Sequence, residues 1–319
     1  MKVLVTGSAG HLGEALVRTL RGGPSVTGLA LLRSPTTDLV GSVGDRATVA
    51  RLMRGMDAVV HTATLHKPHV ATHSRREFVD TNVTGTLVML KEAAAAGVSR
   101  FVFTSTTSTF GRALTPAAGA PAAWITEDVN PLPRNIYGAT KVAAETLCEL
   151  VHRDEGLPCV ILRTARFFPE PDDNPAVRNS YSPANAQLNE LLYRRVDLAD
   201  VVDAHLCAID RAPAVKFGRF IVSATTPFTP NDTVALREDA PAVVWRLFPD
   251  AERVFADLRW RMFPAIDRVY DNRRAREVLT LTPNTDFATA LQQVSTGGEP
   301  RSPLAARIGE KGYHRSDGA

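Results

Sequence analysis

The sequence predicts an α/β fold, with a doubly wound parallel sheet followed by a smaller C-terminal domain. Short apolar segments such as Val3-Leu4-Val5 alternate with helical patterns through the first half of the chain. This alternation is typical of parallel strands that are covered by helices on both faces. The chain has 319 residues, which is ample for such a sheet and a second, smaller core.

The composition indicates a globular protein and argues against several partners. The net charge is +3 and the basic residues are scattered, which gives no support to a nucleic-acid-binding surface. Cys148, Cys159 and Cys207 lie far apart without a CxxC pair, so neither a disulfide framework nor a zinc site is indicated. No apolar run is long enough to span a bilayer, and a strand stands where a signal peptide would begin. We therefore expect no membrane partner and a cytoplasmic location.

Three glycines with GxxGxxG spacing, Gly7, Gly10 and Gly13, follow the first strand directly as a helix begins. Glycine lets the backbone approach a pyrophosphate, whose charge the first amides and the dipole of the next helix stabilise. The spacing differs from the common GxGxxG fingerprint. Its position between a strand and a helix nevertheless favours a nucleotide-binding turn over ordinary turn punctuation.

The second predicted strand, over 26–32, ends without a carboxylate. An acidic residue roughly 20 positions after the glycines would bind the adenosine ribose of NAD, whereas a basic residue favours the phosphate of NADP. Arg33 follows the strand, which gives a slight preference for NADP. Asp38 could bend back towards the ribose, and Arg33 could be a solvated loop residue.

The alternation continues with a helix over 47–54, a strand over 58–61, a long helix over 76–97 and a strand over 100–104. Three histidines, His66, His69 and His73, lie after the strand at 58–61, at the sheet edge where ligands bind. No acidic or cysteine side chain nearby completes a metal site. We expect these histidines to contact substrate or solvent, and we expect no metal.

A helix is predicted from Tyr137 to about residue 155, after a hydroxyl cluster over 104–109 and a loop rich in proline, alanine and glycine. Tyr137 and Lys141 are four residues apart and therefore share one helix face. There the ammonium could lower the pKa of the phenol and prepare its hydroxyl for proton exchange. The alternative is a tyrosine and a lysine on a solvated surface.

Together these segments resemble the extended short-chain dehydrogenases/reductases, a Rossmann-type family that contains NAD-dependent, nucleotide-sugar-modifying epimerases and dehydratases. The matching stretches follow the family's order and are residues 6–13, 44–45, 57–63, 82–86, 101–106, 137–141 and 162–163, with weaker similarity at 197–205 and 272–279.

The resemblance implies a role for individual residues. Tyr137 would be the general acid/base, Lys141 would bind the nicotinamide ribose, and Thr106 would orient the substrate hydroxyl, with Ser105 and Thr107 as alternatives. The implied cofactor-binding residues are Gly7, Gly10, His11, Leu12, Gly13, Arg33, Asp45 at the adenine, Ala63 at the nicotinamide side of the phosphates, and Lys141. Asn82 would have a structural role beneath the site. Our candidate substrate contacts are His66, Thr107, Arg166 and Arg261.

Two departures from the family pattern concern the substrate. The segment Arg163-Thr164-Ala165-Arg166 stands where the family often has an Arg-Pro pair. Thr107-Ser108 stands where sugar dehydratases commonly have an Asp-Glu pair, which argues against dehydration. We expect a nucleotide-binding domain over 1–169 and about 195–223, a substrate-binding domain over 170–194 and 224–295, and a flexible tail over 296–319.

The leading functional hypothesis is an NAD(P)-dependent oxidoreductase or epimerase that acts on a sugar hydroxyl, with a nucleotide sugar preferred. One alternative is a reductase or dehydrogenase of a non-nucleotide carbonyl or alcohol. Another is a catalytically silent protein that senses NAD(P), although Thr106, Tyr137 and Lys141 are all present. The helices at 76–97 and 137–155 are those that the family often pairs in a homodimer.

Overall fold

The computed structural model describes residues 1–172 and 174–311, and a parallel sheet is its central feature. Its strands are β1 (Lys2–Thr6), β2 (Ser25–Ala30), β3 (Leu39–Val40), β4 (Ala58–His61), β5 (Arg100–Thr106), β6 (Ala123–Ile125), β7 (Cys159–Thr164), β8 (Phe217–Val222) and β9 (Arg268–Tyr270). Within these residues, seven strands form one sheet in the order β3-β2-β1-β4-β5-β7-β8, and every pairing is parallel. The predicted doubly wound α/β fold is confirmed.

The helices lie between and after the strands. They are α1 (His11–Leu20), α2 (Arg46–Met53), α3 (Arg75–Val79), α4 (Gly85–Ala95), α5 (Ile136–Glu155), α6 (Pro175–Ser180), α7 (Pro183–Leu191), α8 (Leu198–Val215), α9 (Thr233–Glu238), α10 (Ala240–Leu247), α11 (Pro249–Asp257), α12 (Arg273–Val278), α13 (Phe287–Ser295) and α14 (Pro303–Ile308). None of the described helices is both long and apolar enough to cross a membrane.

Both faces of the sheet are covered, as the continuous apolar strands predict. Val3 and Val5 of β1 belong to a core cluster with residues of α1, α8 and α14. Leu4, which points the other way, belongs to a cluster with residues of α2, α4 and α5. A third cluster joins residues of α7, α9, α10, α11 and α13.

The helix predicted over 76–97 is not regular along its length. A π-helical segment, Asp80–Thr84, lies between α3 and α4. The Thr86 hydroxyl donates to the Asn82 carbonyl there at 2.7 Å. Such segments are frequent at functional sites, and this one carries Asn82.

The last described residues differ from the flexible tail expected over 296–319. Helix α14 packs on α1 and α8, and its Ala305 and Ile308 are buried. The Ser302 amide donates to Asp197, and the Lys311 amide donates to Glu170. The glycine, proline and charged residues of this segment are the basis of the predicted mobility. Composition alone does not reveal the apolar contact that α14 makes. Residues 312–319 lie outside the described part of the chain.

We expect Gly13→Ala to lower the free energy of unfolding by about 3 kcal/mol, the upper part of the range for forced overpacking. A Cβ at Gly13 would lie 2.1 Å from the carbonyl oxygen of Gly7, so backbone must move. Urea denaturation without cofactor measures the effect.

Gly23→Ala is the matched control because nothing lies within 4 Å of a Cβ at that position. Its unfolding midpoint should stay close to that of the wild type. Equal midpoints for the Gly13 variant and the wild type would contradict the steric argument.

Candidate active site

A cavity of about 850 Å³ lies at the carboxyl edge of the large sheet. Its walls include the ends of β1, β2, β4, β5 and β7. Open α/β sheets bind ligands at this edge. The lining contains the following residues that the sequence predicts for the site: Gly7, Gly10, His11, Leu12, Gly13, Arg33, Ala63, His66, Thr106, Thr107, Tyr137, Lys141 and Arg166.

The turn from β1 to α1 forms one end of the cavity. Gly7 has φ +69°, and a Cβ there would lie 2.8 Å from the Ala63 amide nitrogen. Gly10 caps α1 and has no side chain to occupy the helix N-terminus. The turn therefore leaves space and helix dipole for a pyrophosphate, and the residues present fit a dinucleotide.

Arg33 and Asp38, the two residues after β2 that the sequence offers as contacts to the adenosine, differ in their position. Arg33 and Ser34 line the cavity. The Asp38 carboxylate instead accepts from the Gly28 amide at 2.7 Å and from Arg21 at 3.2 Å. Its position does not support a bend towards the ribose.

Asp45 is not placed as the resemblance implies. Its carboxylate caps α2 by accepting from the amides of Ala47 and Thr48, and residues 41–43 line the cavity instead. An aspartate before a helix is a preferred N-cap, which is the reason for this position.

Thr106, Tyr137 and Lys141 lie on one wall of the cavity. Gly138 lets α5 approach the loop after β5, because a Cβ there would lie 2.8 Å from the Ser108 carbonyl. The Thr106 hydroxyl lies close enough to Tyr137 to lower the pKa of the phenol, and it accepts from the Ser108 amide at 3.1 Å. The Lys141 ammonium donates to the Thr104 carbonyl at 2.8 Å.

The pKa values of the pair reflect burial. Burial raises the pKa of Tyr137 to about 12, and the hydrogen bond to Thr106 opposes this rise. Burial lowers the pKa of Lys141 to about 7, against the favourable charge of Glu145. In the protein alone, the phenol pKa is thus raised rather than lowered as the Tyr-Lys spacing predicts, because desolvation dominates.

The Ser105 hydroxyl, unlike that of Thr106, binds to a buried ion pair that the sequence analysis did not identify. The Ser105 hydroxyl donates to the Glu145 carboxylate at 2.6 Å. Arg163 pairs with the same carboxylate at 2.7 Å, and both charged side chains are at most 3% exposed. The Ser105 hydroxyl is thus engaged by Glu145, whereas Thr106 is the hydroxyl of the two that affects the pKa of Tyr137.

Asn82 connects the loop after β4 to α5. Its side chain accepts from the Leu65 amide at 2.8 Å and from Thr64 at 3.0 Å. It donates to the Leu65 carbonyl at 2.9 Å and to Thr140 at 3.0 Å. These contacts suit the structural role that the resemblance implies.

Three arginines line the cavity towards the smaller domain: Arg166, Arg194 and Arg268. Arg166 is among the predicted contacts, whereas no motif marked the other two. The buried Glu190 pairs with Arg194 at 2.6 Å and lies 3.8 Å from Arg166. The Nε atoms of all three arginines are buried without a hydrogen-bond partner among the described residues.

Arg261 does not line this cavity. Its guanidinium donates to the Ser180 carbonyl at 2.7 Å and lies over the Tyr181 ring. This position does not support the prediction that Arg261 contacts substrate. The side chain is held instead by packing within the smaller domain.

The histidines near the cavity contact one another and a carboxylate. The His66 ring stacks on Phe168, and the His66 amide donates to His69. His11 pairs with Glu170 at 2.9 Å. Burial lowers the pKa of His66 to about 3. Over residues 1–172 and 174–311, no group of three metal-binding side chains is placed to hold an ion.

The parallel sheet, the glycine turn and the Tyr-Lys pair on one helix define the class of extended short-chain dehydrogenases/reductases. The model of the NAD dependent epimerase/dehydratase family matches residues 3–222, more than half of the chain, and the chain belongs to this family.

Individual curated relatives match only part of the chain, at moderate sequence identity. The chain is 34% identical to a dTDP-glucose 4,6-dehydratase of Streptomyces niveus over 53% of this chain and 54% of the relative. It is 27% identical to a UDP-glucose 4-epimerase of Streptomyces lividans over 66% of this chain and 72% of the relative. The matches above 30% identity cover 39% to 57% of the relatives' own lengths, so the chain spans about half of those curated proteins.

Solved structures share the fold. A short-chain dehydrogenase/reductase superfamily protein of Agrobacterium tumefaciens with bound NAD has a TM-score of 0.67 and 24% identity, covering 96% of this chain and 97% of its own. A UDP-glucose 4-epimerase of Thermotoga maritima with UDP-glucose has a TM-score of 0.64 and 22% identity, covering 93% and 98%.

We expect Arg163→Met to lower the free energy of unfolding by about 3 to 5 kcal/mol, the cost of leaving one charge of a buried pair without its partner. Glu145 would keep Arg219 at 3.4 Å but lose its closest cation. Urea denaturation at neutral pH measures the change.

Arg153→Met is the matched control, since Arg153 pairs with Asp154 at an exposed site. It should leave the unfolding midpoint nearly unchanged. Adding Glu145→Gln to the Arg163 variant should recover part of the loss, and the absence of any difference between Arg163→Met and its control would contradict the assignment.

Proposed function

We propose that this protein is an NAD(P)-dependent oxidoreductase or epimerase that acts on the hydroxyl of a sugar, with a nucleotide sugar as the preferred substrate. One observation carries the proposal. Thr106, Tyr137 and Lys141 share a wall of the cavity whose opposite end is the glycine turn at Gly7 and Gly13.

In the proposed reaction, a carbinol loses a proton from oxygen and a hydride from carbon. A nicotinamide cofactor with its pyrophosphate at the glycine turn would supply the hydride acceptor. Tyr137, ionised to the phenolate, takes the hydroxyl proton and becomes the neutral phenol, and Thr106, whose hydroxyl lies near the phenol, orients the substrate. A protonated Lys141 beside them lowers the pKa of the phenol towards the working range.

The arginines at the other wall support an anionic substrate. Arg166, Arg194 and Arg195 approach the single carboxylate of Glu190, and Asp172 adds a second negative charge at Arg194. Arginine forms paired hydrogen bonds with phosphate oxygens, so the diphosphate of a nucleotide sugar would use the remaining donors. Because Thr107 and Ser108 line the cavity in place of an acidic pair, we favour epimerisation or dehydrogenation over dehydration.

NADP is the preferred cofactor in this proposal. Arg33 and Ser34 lie at the cavity wall beyond β2, whereas the Asp38 carboxylate is held by Gly28 and Arg21. A 2′-phosphate would therefore meet a cation and no carboxylate. We also retain α4 and α5 as the proposed interface of a homodimer, with Leu87 and Leu150 exposed on these helices.

We expect Tyr137→Phe to reduce kcat by at least about 100-fold, the lower bound for loss of a general acid/base. Cofactor affinity should be preserved, because the ring remains. The measurement is turnover on a panel of nucleotide sugars, free sugars, sugar acids and simple alcohols, each with NAD or NADP.

Tyr181→Phe is the control, since Tyr181 packs on Phe263 away from the cavity. Full turnover by the Tyr137 variant on a substrate that the wild type uses would refute the acid/base role. Turnover of simple alcohols alone would transfer the proposal to a non-nucleotide substrate, and cofactor binding without any turnover would favour a sensor.

We expect Arg33→Ala to weaken NADPH binding about tenfold, the effect of losing one charge-assisted contact to a phosphate. NADH affinity should change little, because NADH lacks that phosphate. Fluorescence titration with both cofactors measures the two dissociation constants, and Arg51→Ala on the exposed surface of α2 is the control. Tighter binding of NADH than of NADPH by the wild type would refute the preference for NADP.

A further inference from the structure

A buried histidine of α8 contacts a residue of β5 whose carbonyl accepts a hydrogen bond from Lys141. His205 is fully buried, and its Nε2 lies 2.8 Å from the Thr104 hydroxyl. The backbone carbonyl of the same threonine accepts from the Lys141 ammonium at 2.8 Å. Two side chains, one from α8 and one from α5, thus meet at Thr104 of β5.

The tautomer of His205 follows from its second contact. Its Nδ1 lies 2.7 Å from the Val201 carbonyl, which can only accept, so Nδ1 carries the proton. Nε2 is then an acceptor, and the Thr104 hydroxyl donates to it. Burial lowers the pKa of His205 to about 4, so the ring is neutral at neutral pH and the hydrogen-bond direction is fixed.

Thr104 needs such support because a neighbouring strand ends before it. Strand β4 pairs with β5 up to His61 and Phe103, so Thr104 lies beyond that pairing. On the other side β5 is still paired, with Thr104 opposite Leu162 of β7. Side-chain contacts therefore replace the missing ladder on one side, and a β-branched residue such as threonine transmits them through a stiff χ1 angle.

We propose that His205 is a positioning residue, which holds the Thr104 hydroxyl and thereby aims the Thr104 carbonyl at the Lys141 ammonium. The catalytic role of Lys141 rests on the proposed function, whereas the link from His205 to Lys141 rests on the three contacts alone. His205 itself lines no part of the cavity.

The charges around Lys141 define what the carbonyl contributes. On its own helix, the Glu145 carboxylate favours the charged amine, whereas burial raises the pKa of the Cys148 thiol and keeps it neutral. From β4, the neutral imidazole of His61 faces it, and His66 lies farther along the cavity. The ring of Phe103 lies 4.5 Å from the ammonium nitrogen. Since burial opposes the charge, a correctly aimed carbonyl is a direct stabiliser of the protonated form.

Loss of His205 should therefore lower the pKa of Lys141. We expect a decrease of about one pH unit in His205→Leu, because a hydrogen bond to the charged form is weakened. Competitive acetylation across a pH series, quantified by peptide mass spectrometry, reports the pKa of Lys141 in the full chain without cofactor or substrate. With a substrate in hand, the limb of the kcat profile that depends on Lys141 should move in the same direction while KM changes little.

Three variants separate positioning from general loosening. His205→Gln places an amide oxygen near the position of Nε2 and should keep the wild-type pKa of Lys141. Ile209→Ala, one turn farther along α8, opens a cavity beside the same helix while leaving the His205 and Thr104 side chains unaltered, and it should also keep the wild-type pKa of Lys141. Thr104→Val removes the hydroxyl and should reproduce the decrease, and adding His205→Leu to it should have no further effect.

An unchanged Lys141 pKa in both His205→Leu and Thr104→Val would overturn the proposal. An equal decrease in Ile209→Ala, or full additivity in the double variant, would overturn it as well. Should His205→Leu fail to fold, Thr104→Val and His205→Gln still decide the question. Because acetylation needs no substrate, a failure of the proposed sugar chemistry in the turnover panel is a separate result.

Discussion

The close approach of backbone segments at the start of the chain is the constraint on which the rest of the site depends. A Cβ at Gly13 would lie 2.1 Å from the Gly7 carbonyl oxygen, and one at Gly7 would lie 2.8 Å from the Ala63 amide nitrogen. Helix α1, strand β1 and the loop after β4 therefore approach one another to main-chain contact distance, and hydrogen bonds of the Thr6 and Thr62 side chains add to this contact. That contact shapes the end of the cavity where the helix dipole favours an anion, and Tyr137 of α5 lines the same cavity.

Two buried histidines hold the strand ends around that cavity, and they do so with opposite tautomers. The Thr86 hydroxyl donates to the Asn82 carbonyl, so it accepts from Nε2 of His61, and Nδ1 of His61 accepts from Thr6. In His205 the proton is on Nδ1 instead, because the Val201 carbonyl lies there. Burial lowers both pKa values, to about 3 for His61 and about 4 for His205. Neutral rings with fixed donors can orient neighbours without adding a charge to the interior.

Short-range sequence patterns predict the local elements of this fold. They do not predict features that depend on contacts between segments far apart in the chain. Apolar strands, the glycine spacing and the Tyr137–Lys141 pair are local signals, and the parallel sheet follows from their alternation. The resemblance implies an adenine contact for Asp45, whereas its carboxylate instead accepts from the first amides of α2. Strand β6 pairs with β9 across more than a hundred residues, which brings Arg268 to the cavity rather than Arg261. No periodicity in either segment indicates that pairing, and the apolar contact of α14 is hidden in the same way.

The two walls of the cavity differ in their electrostatics. With a pKa of about 12 for Tyr137 and about 7 for Lys141, the buried pair favours the neutral phenol and, above neutral pH, the neutral amine. The interior thereby avoids an uncompensated charge. At the arginine wall, Arg166 and Arg194 share the Glu190 carboxylate with Arg195, which lies behind the cavity lining, and Asp172 pairs with Arg194. Three guanidinium groups thus face two carboxylates. A ligand with oxyanions near the arginines and hydroxyl oxygens near Lys141 would balance the positive charge at one wall and supply hydrogen-bond acceptors to the amine at the other. In the proposed reaction, such a ligand would favour the protonated form of Lys141, and the ammonium would lower the pKa of the Tyr137 phenol, so that binding would be coupled to proton transfer.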